Sequence, residues 1–454
     1  MTQRVELILK DADANLRKQC NEKAREIYGD DLPEVVVKRL EHELTVLESK
    51  GYSSRFLIAA DLADNAKEYG FRVRTRGMIG SALASFLCGI SSVNPLPAHY
   101  YCPECHRFEQ YEEDGYQVMG YDLPHKECPK CGAGIRTDGA NVPFEVLVGL
   151  EENKEPDIIL NVASEIRSIL AEHLKEKYGK DSVFRAGVKR QLEDGSINRG
   201  IHPGGVFITP TGFDINEITE LREELSNDDF NMKVTEEDYS KVWRTMPKYD
   251  LLIMPELDML KLLEERTGVL ADSIQMNDNN VLEVFLEDGF SFLPRKIFDD
   301  GQTFEKQAIS LVKPRCFSDL ARLSAAIHGT GAWTNNGDSL LREGKTISDI
   351  ITSRDDIMLY LMELGMDKQN AYEIMDAVRK GKGITEEMRN IMCNAGVPDW
   401  CIDSCNKIQY LFPKAHAVEY MLIYWKLAYY RLHFPEVYLN LINEGVEFND
   451  AKDM

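Results

Sequence analysis

The stretch "KEPDIILNVASE", residues 154–165, sets a polar start against the apolar run Ile158, Ile159, Leu160 and Val162. On a strand, residues i and i+2 share a face, so Asp157 and Ile159 point the same way, with Glu155 before them and Asn161 after. An Asp-x-Asp pair in this setting bridges two Mg²⁺ ions. Here the second place is Ile159, which has no lone pair to offer a cation. A helix is expected from Ala163 to Tyr178, then strands at "SVFRAG" (182–187), "HPGGVFITP" (202–210) and "KYDLLIM" (248–254). This alternation makes residues 156 to about 255 an α/β unit. "KYDLLIM" carries Asp250 among apolar neighbours, and a lone acid there is costly unless it is paired or binds a cation.

Upstream, three helices are expected at Asp11 to Tyr28, Pro33 to Ser49 and Ser53 to Tyr69. The segment "FRVRTRGMIGSALASFLCGI" (71–90) then changes period: 71–75 alternate as a strand, Gly77 and Gly80 punctuate, and 80–90 continue as a small-residue helix. A glycine turn opening a helix points N–H groups outward, where phosphate binds. Arg72, Arg74 and Arg76 share one face of the preceding strand and could add charge. A tight turn before a packed helix explains the same residues equally well.

Two knuckles, Cys102-Pro-Glu-Cys105 and Cys128-Pro-Lys-Cys131, are separated by 22 residues. Each turn presents two thiolates from one side, and two turns complete a tetrahedral S₄ site that favours Zn²⁺. Four protein ligands leave no open position, so this zinc is expected to be structural. The other six cysteines have no regular spacing and are expected to be reduced thiols of a cytoplasmic protein.

The chain has 454 residues and a formal charge of −23, from 53 basic and 76 acidic side chains, which argues against a nucleic-acid coat protein. Residues 368–434 reverse locally, with nine Lys/Arg against seven Asp/Glu, so a basic cleft in an acidic body stays open. No apolar run is long enough to span a membrane, and the first residues lack a signal-peptide pattern. Beyond Phe317 nearly everything reads as helix. That half holds His328, Arg354, Arg379, Lys380, Lys382, Lys414 and His416, although basic residues at helix ends commonly complement the helix dipole.

Taken in order, "VNPLPAHYYCPECH", "CPKCGA", "PDIxLN", "VFRAG", "HPGG", "RDDIM", "MDAVRKGKG", "PDWCIDSCNKIQYLFPKAHA" and "AYYRLHFPEVY" resemble the PolC-type alpha subunit of DNA polymerase III, over roughly residues 10–445. The resemblance implies an α/β plus all-α chain: a polymerase-beta-like nucleotidyltransferase palm, an inserted four-cysteine zinc ribbon and a helical fingers domain. The implied divisions are palm helices and phosphate turn at 1–99, ribbon at 100–136, palm strands with a shortened thumb at 137–300, and fingers at 301–454. It implies Gly80 and Ser81 as the turn that holds an incoming nucleotide's triphosphate, and Asp157 and Asp250 as two of three Mg²⁺-binding aspartates. Arg76, His328, Arg354, Arg379, Lys382 and Lys414 become phosphate-binding candidates, and primer-template DNA and dNTP the expected partners.

This sequence departs from that pattern where chemistry is expected. The second aspartate is Ile159. The family's Arg-Gly-Ser-x-Gly-Ser-Ser becomes Arg76, Gly77, Met78, Ile79, Gly80, Ser81, Ala82, and its Gly-His after the third aspartate becomes Ile253, Met254. The family's Ser-His-Gly-Thr-Asp becomes Ile327, His328, Gly329, Thr330, Gly331. Nothing here resembles the family's PHP, proofreading, OB, helix-hairpin-helix or clamp-binding parts, and His202 follows Gly187 by only fifteen positions. The expectation is a truncated, catalytically degenerate polymerase paralogue that keeps DNA or nucleotide binding, its Mg²⁺ weakened or lost. Two alternatives stand beside it. One is a working nucleotidyltransferase in which Glu155 replaces the missing acid. The other is a protein-binding scaffold, or half of a split polymerase, serving a replication or mobile-element partner.

Overall fold

The computed structural model describes residues 4–111, 117–192, 194–223, 228–276, 278–294 and 301–444. Its strands, in chain order, are β1 (Arg74–Thr75), β2 (His99–Tyr101), β3 (Phe108–Gln110), β4 (Arg136–Asp138), β5 (Ile158–Val162), β6 (Val183–Gln191), β7 (Ile197–Ile208), β8 (Leu221–Arg222), β9 (Val234–Thr235) and β10 (Lys248–Ile253). Seven form a mixed sheet in the order β1-β5-β10-β7-β6-β9-β8, and β3-β2-β4 form a small second sheet.

The alternation read from "PDIILNV" divides the faces of the large sheet. Ile158, Leu160 and Val162 enter the main core with Tyr249 and Leu251 of β10 and with Ile166, Leu170 and Leu174 of helix Ser164–Tyr178. Each fully buried aliphatic side chain of this kind contributes about 1.5–3 kcal/mol. The opposite face is left to Asp157, Ile159, Asn161 and, in register with Ile159 on the parallel neighbour, Asp250.

"VFRAG" and "HPGG" are two sides of one hairpin, β6–β7, running from Val183↔Ile208 to Gln191↔Ile197 with a register shift between Arg185 and Gly187. The short connection between the motifs is the outer end of this ribbon. The glycine of "HPGG" at 204 is required by close approach: a Cβ there would lie 2.5 Å from the Leu251 carbonyl oxygen.

Helices Ala12–Tyr28, Glu34–Ser49 and Ser53–Glu68 form within a residue of expectation; the first buries Leu16, Cys20, Ala24 and Tyr28 at four-residue intervals. Residues 71–90 are less regular than expected. Only Arg74–Thr75 pair with β5, and the helix shrinks to a single 3₁₀ turn, Ile79–Ser81, and the five residues Leu83–Leu87. Ala82 is extended between them, and the buried carboxylate of Glu43 takes the Leu83 and Ala84 N–H groups at 2.9 and 3.0 Å.

The second half is helical around Lys414–His433, in which 15 of 20 residues are buried. A helix enclosed on all sides needs its polar groups paired. Glu419, fully buried, accepts from Thr75 Oγ1 at 2.9 Å, Ser91 Oγ at 2.6 Å and the Ser92 N–H at 3.0 Å. That carboxylate fixes the central helix to the edge of the sheet. The expected division at residue 300 lies outside the described residues.

Candidate active site

The acid face gathers three positions. Asp157 stands exposed at the entrance of β5 and Ile159 two residues on, while Asp250 lies opposite Ile159 on β10 and beside Gly205 on β7. Asp250 is 3% exposed. Its Oδ2 accepts from the Lys248 ammonium, and His202 Nδ1 lies 3.5 Å from its Oδ1. Asp157 Oδ1 accepts from Trp243 Nε1 at 3.1 Å. Although the residue as a whole is exposed, desolvation by the surrounding protein pushes the Asp157 carboxyl up; Lys248 opposes the shift and Asp250 adds to it. The His202 imidazole is driven down to about 4 by burial, against the pull of Asp250. The side chain of Ile159 fills the space under Gly77, where its Cδ1 would lie 4.0 Å from a Cβ.

Glu155, the substitute carboxylate considered above, is engaged elsewhere. It pairs with Arg4 at 2.7 Å and with the buried Arg55 at 3.2 Å.

The phosphate turn is closed. Gly80 and Ser81 are buried, and a Cβ on Gly80 would stand 3.0 Å from both Ser91 Oγ and Thr75 Oγ1. The Ser81 N–H donates to the Met78 carbonyl at 2.9 Å, the following Leu83 and Ala84 N–H groups donate to Glu43, and the Ser81 carbonyl accepts from Arg39 at 2.8 Å. Arg72 and Arg74 are also committed: Arg72 binds Asp272 at 2.7 Å and Glu264 at 2.8 Å, and Arg74 lies 3.6 Å from Glu419. Of the three arginines, Arg76 alone has no side-chain partner among the described residues; its N–H donates to the Ile159 carbonyl at 3.0 Å.

Arg76 comes within range of His328 and His416 of the helical half, and Arg354 within range of His416. Burial lowers the pKa of both histidines, and the charge of Arg76 lowers each further. Arg354 is 4% exposed and donates to Met78 Sδ at 3.0 Å and to the Leu411 carbonyl at 3.0 Å. A ladder of rings leads from His328 to the acid face: His328 on Phe412 at 5.3 Å, Phe412 on His416 at 4.3 Å, His416 on Tyr420 at 4.6 Å. The Tyr420 hydroxyl then accepts from Asn161 at 3.1 Å. Other candidates have partners of their own. Arg379 donates to Asp376 at 2.8 Å, and buried Lys414 pairs with Asp356 at 3.2 Å. Lys382 is exposed on the loop that follows helix Lys368–Arg379.

The four knuckle cysteines converge as expected, with all Sγ atoms within 4.8 Å of one another. Cys102–Cys131 and Cys105–Cys128 are each 3.5 Å apart. A tetrahedral ion with bonds of about 2.3 Å sets sulfurs about 3.8 Å apart, so these thiols fit a metal ion with little movement. Behind them Tyr100, Leu123 and Ile135 make a small separate core.

Sequence reasoning missed Lys248, His202, Trp243 and Glu43. Lys248 was legible, because Lys-x-Asp on a strand puts both side chains on one face. Trp243 and Glu43 were not, since each acts across the fold, 86 and 40 residues from its partner.

Comparison with known proteins agrees with this geometry. Residues 14–194 match the family described as the bacterial DNA polymerase III alpha NTPase domain, and residues 253–397 the finger domain of the same subunit. Asp250 lies between the two matched stretches. The chain is 36% identical to the PolC-type DNA polymerase III of Caldanaerobacter subterraneus over 95% of its own length and 34% of that polymerase. It is 36% identical to that of Thermotoga maritima over 94% and 34%, and 34% identical to that of Staphylococcus saprophyticus over 94% and 33%. It therefore spans about a third of the length of these relatives. No helix among the described residues is long and apolar enough to cross a membrane. With its mixed-sheet palm, its four-cysteine ribbon and its helical fingers, the chain belongs to the family of the bacterial DNA polymerase III alpha subunit, in the PolC-type branch.

Proposed function

We propose that this chain binds primer-template DNA or a nucleoside triphosphate through its palm and fingers, and that its own capacity for phosphodiester formation is impaired. The observation that carries this reading is Ile159, in register with Asp250 and on the face of Asp157. Two-cation phosphoryl chemistry clamps the attacking and leaving oxygens with metals held by several carboxylates. The two acids that remain do not fit such a pair: Asp250 Oδ2 is taken by Lys248, its Oδ1 is sealed from solvent, and Asp157 shares Oδ1 with Trp243. Losing one electrostatic contact to a transition state costs about 2.7–4 kcal/mol, or ~10²–10³ in rate.

Binding is supported by Arg76 and Arg354, whose charges reach His416 and add to the burial that favours its neutral form. Lys382 adds an exposed positive charge to the fingers, while Arg379 and the buried Lys414 are held by Asp376 and Asp356. Gly80 and Ser81 shape the turn from within. The four cysteines hold Zn²⁺ in a structural role, consistent with a reducing, cytoplasmic setting. The divisions 1–99, 100–136, 137–300 and 301–454 are kept as the working domain description.

Primer extension with Mg²⁺ and with Mn²⁺ tests the catalytic half. Wild type is expected at background and Ile159→Asp above it; robust wild-type extension abolished by Asp157→Ala would overturn the reading. Filter binding of primer-template DNA at several salt concentrations tests the other half. A steep loss of affinity with salt is expected, and no binding at low salt would leave a scaffold in its place.

A further inference from the structure

Lys248 and Asp250 lie two residues apart on β10, so their side chains leave the same face. Their side chains are 12% and 4% exposed, and the ammonium donates directly to the carboxylate. Around this pair the packing is continuous: Lys248 Nζ lies 5.4 Å from the ring centre of Tyr239, whose other neighbour is His202 at 4.7 Å. On the far side, Asp157 is held by Trp243, over whose ring the Arg4 guanidinium sits at 5.6 Å. Ile159 is the only apolar residue of the trio with Asp157 and Asp250.

Counting formal charge shows what this arrangement does. Three carboxylates and one ammonium on this face would sum to −2, matching one divalent cation. Two carboxylates and one ammonium sum to −1, and that remaining charge is spread over acids that already accept hydrogen bonds. An ammonium placed a hydrogen bond from a carboxylate is also a direct competitor for the position a cation would take.

We infer that Lys248 is the resident cation of the acid face, so that Asp250 is ion-paired and Asp157 hydrogen-bonded by the chain's own donors, and the two take up no divalent metal. The inference rests on the reading of these acids as remnants of a polymerase centre. It adds a specific residue as the reason these acids need no metal to stay in place. Ile159 makes the substitution of ammonium for metal stable by removing the carboxylate that would restore the charge.

The test is Mn²⁺ titration of the zinc-loaded full chain, with free Mn²⁺ read by electron paramagnetic resonance. Comparison with Asp157→Asn/Asp250→Asn subtracts weak sites on the acidic surface. Wild type and this double variant are expected to give superimposable isotherms. Lys248→Met is expected to gain one site, about tenfold tighter than the surface background, that Asp250→Asn removes. A wild-type site lost on Asp250→Asn would overturn the inference, and so would a folded Lys248→Met that gains nothing. If Lys248→Met fails to fold, Ile159→Asp replaces it, with a gained Mn²⁺ site expected and an isotherm unchanged from wild type counting against the charge argument. The outcome is separate from that of the proposed function: a chain that binds no DNA yet holds no Mn²⁺ retains this inference and loses the former.

Discussion

The ribbon and the acid face each gather groups of the kind that bind cations, and they differ in how many such donors they offer. The ribbon retains four thiols within 4.8 Å of one another over a core of only a few apolar residues. The acid face offers two carboxylates, Asp157 and Asp250, over the main core of the molecule, with Trp243 and Lys248 bonded to them. The difference follows from what each cation does for the fold. A sheet of three strands of three residues cannot bury enough surface to stand alone, so a metal ion held by its four thiols would be part of its folding energy. Behind the acid face, Ile158, Leu160, Tyr249 and Leu251 hold the strands whether or not a metal is bound. An isoleucine is tolerated there, and even eases repulsion between carboxylates, where a lost cysteine in the ribbon would not be.

The largest effect is therefore expected in the ribbon. Cys128→Ser, or prolonged chelation of wild type, should release the metal and destabilise the chain by on the order of 4–5 kcal/mol, seen as metal loss by elemental analysis and a lower melting temperature. The loss should reach beyond the ribbon, because Tyr28 packs against His99, Tyr101 and Phe108. An unchanged melting temperature after complete metal loss would remove the contrast between the two regions.

A smaller effect is expected from Ile159→Asp without divalent cation. Half-buried apolar surface is lost and a third carboxylate is placed opposite Asp250, so a cost of about 1–3 kcal/mol is expected in denaturant melts. Added Mn²⁺ should return part of this by binding only the folded state. A stabilising Ile159→Asp in the absence of metal would show that the face tolerates more negative charge than the Lys248 pairing implies.

The two regions also differ in how far they could be read before folding. Cys-x-x-Cys fixes geometry within four residues, so the ribbon was legible outright. The shared face of Asp157 and Ile159 was legible because strand periodicity is local, and the resemblance joined Asp250 to them. The phosphate turn was not. Its fate is set by Glu43, which arrives from a helix 40 residues earlier to cap Leu83, and by Glu419, which comes from more than 300 residues later to bind Thr75 and Ser91. Periodicity carries no information about such long-range caps. The arginine series failed for the same reason: the alternation of Arg72, Arg74 and Arg76 is real, yet Asp272, Glu264 and Glu419 claim the first two.

The smallest expected effect concerns protons on the acid face. His202 has a folded pKa of about 4, below its ordinary value near 6.5, chiefly because burial disfavours its charged form. The unfolded chain therefore takes up this proton first, so the stability His202 contributes is complete above about pH 6.5 and is lost as pH falls toward 4. His328 and His416 shift in the same direction, also through burial. Asp157, raised by burial, acts with the opposite sign where it titrates, because protonation favours its folded form. His202→Gln should remove about 1–2 kcal/mol of the acid-side slope while leaving the slope from metal release by the ribbon thiols in place. Denaturant melts of both proteins between about pH 7 and 4.5 measure the difference. Parallel curves would mean that His202 is charged beside Asp250 in the folded chain, and that the face holds a second resident cation besides Lys248.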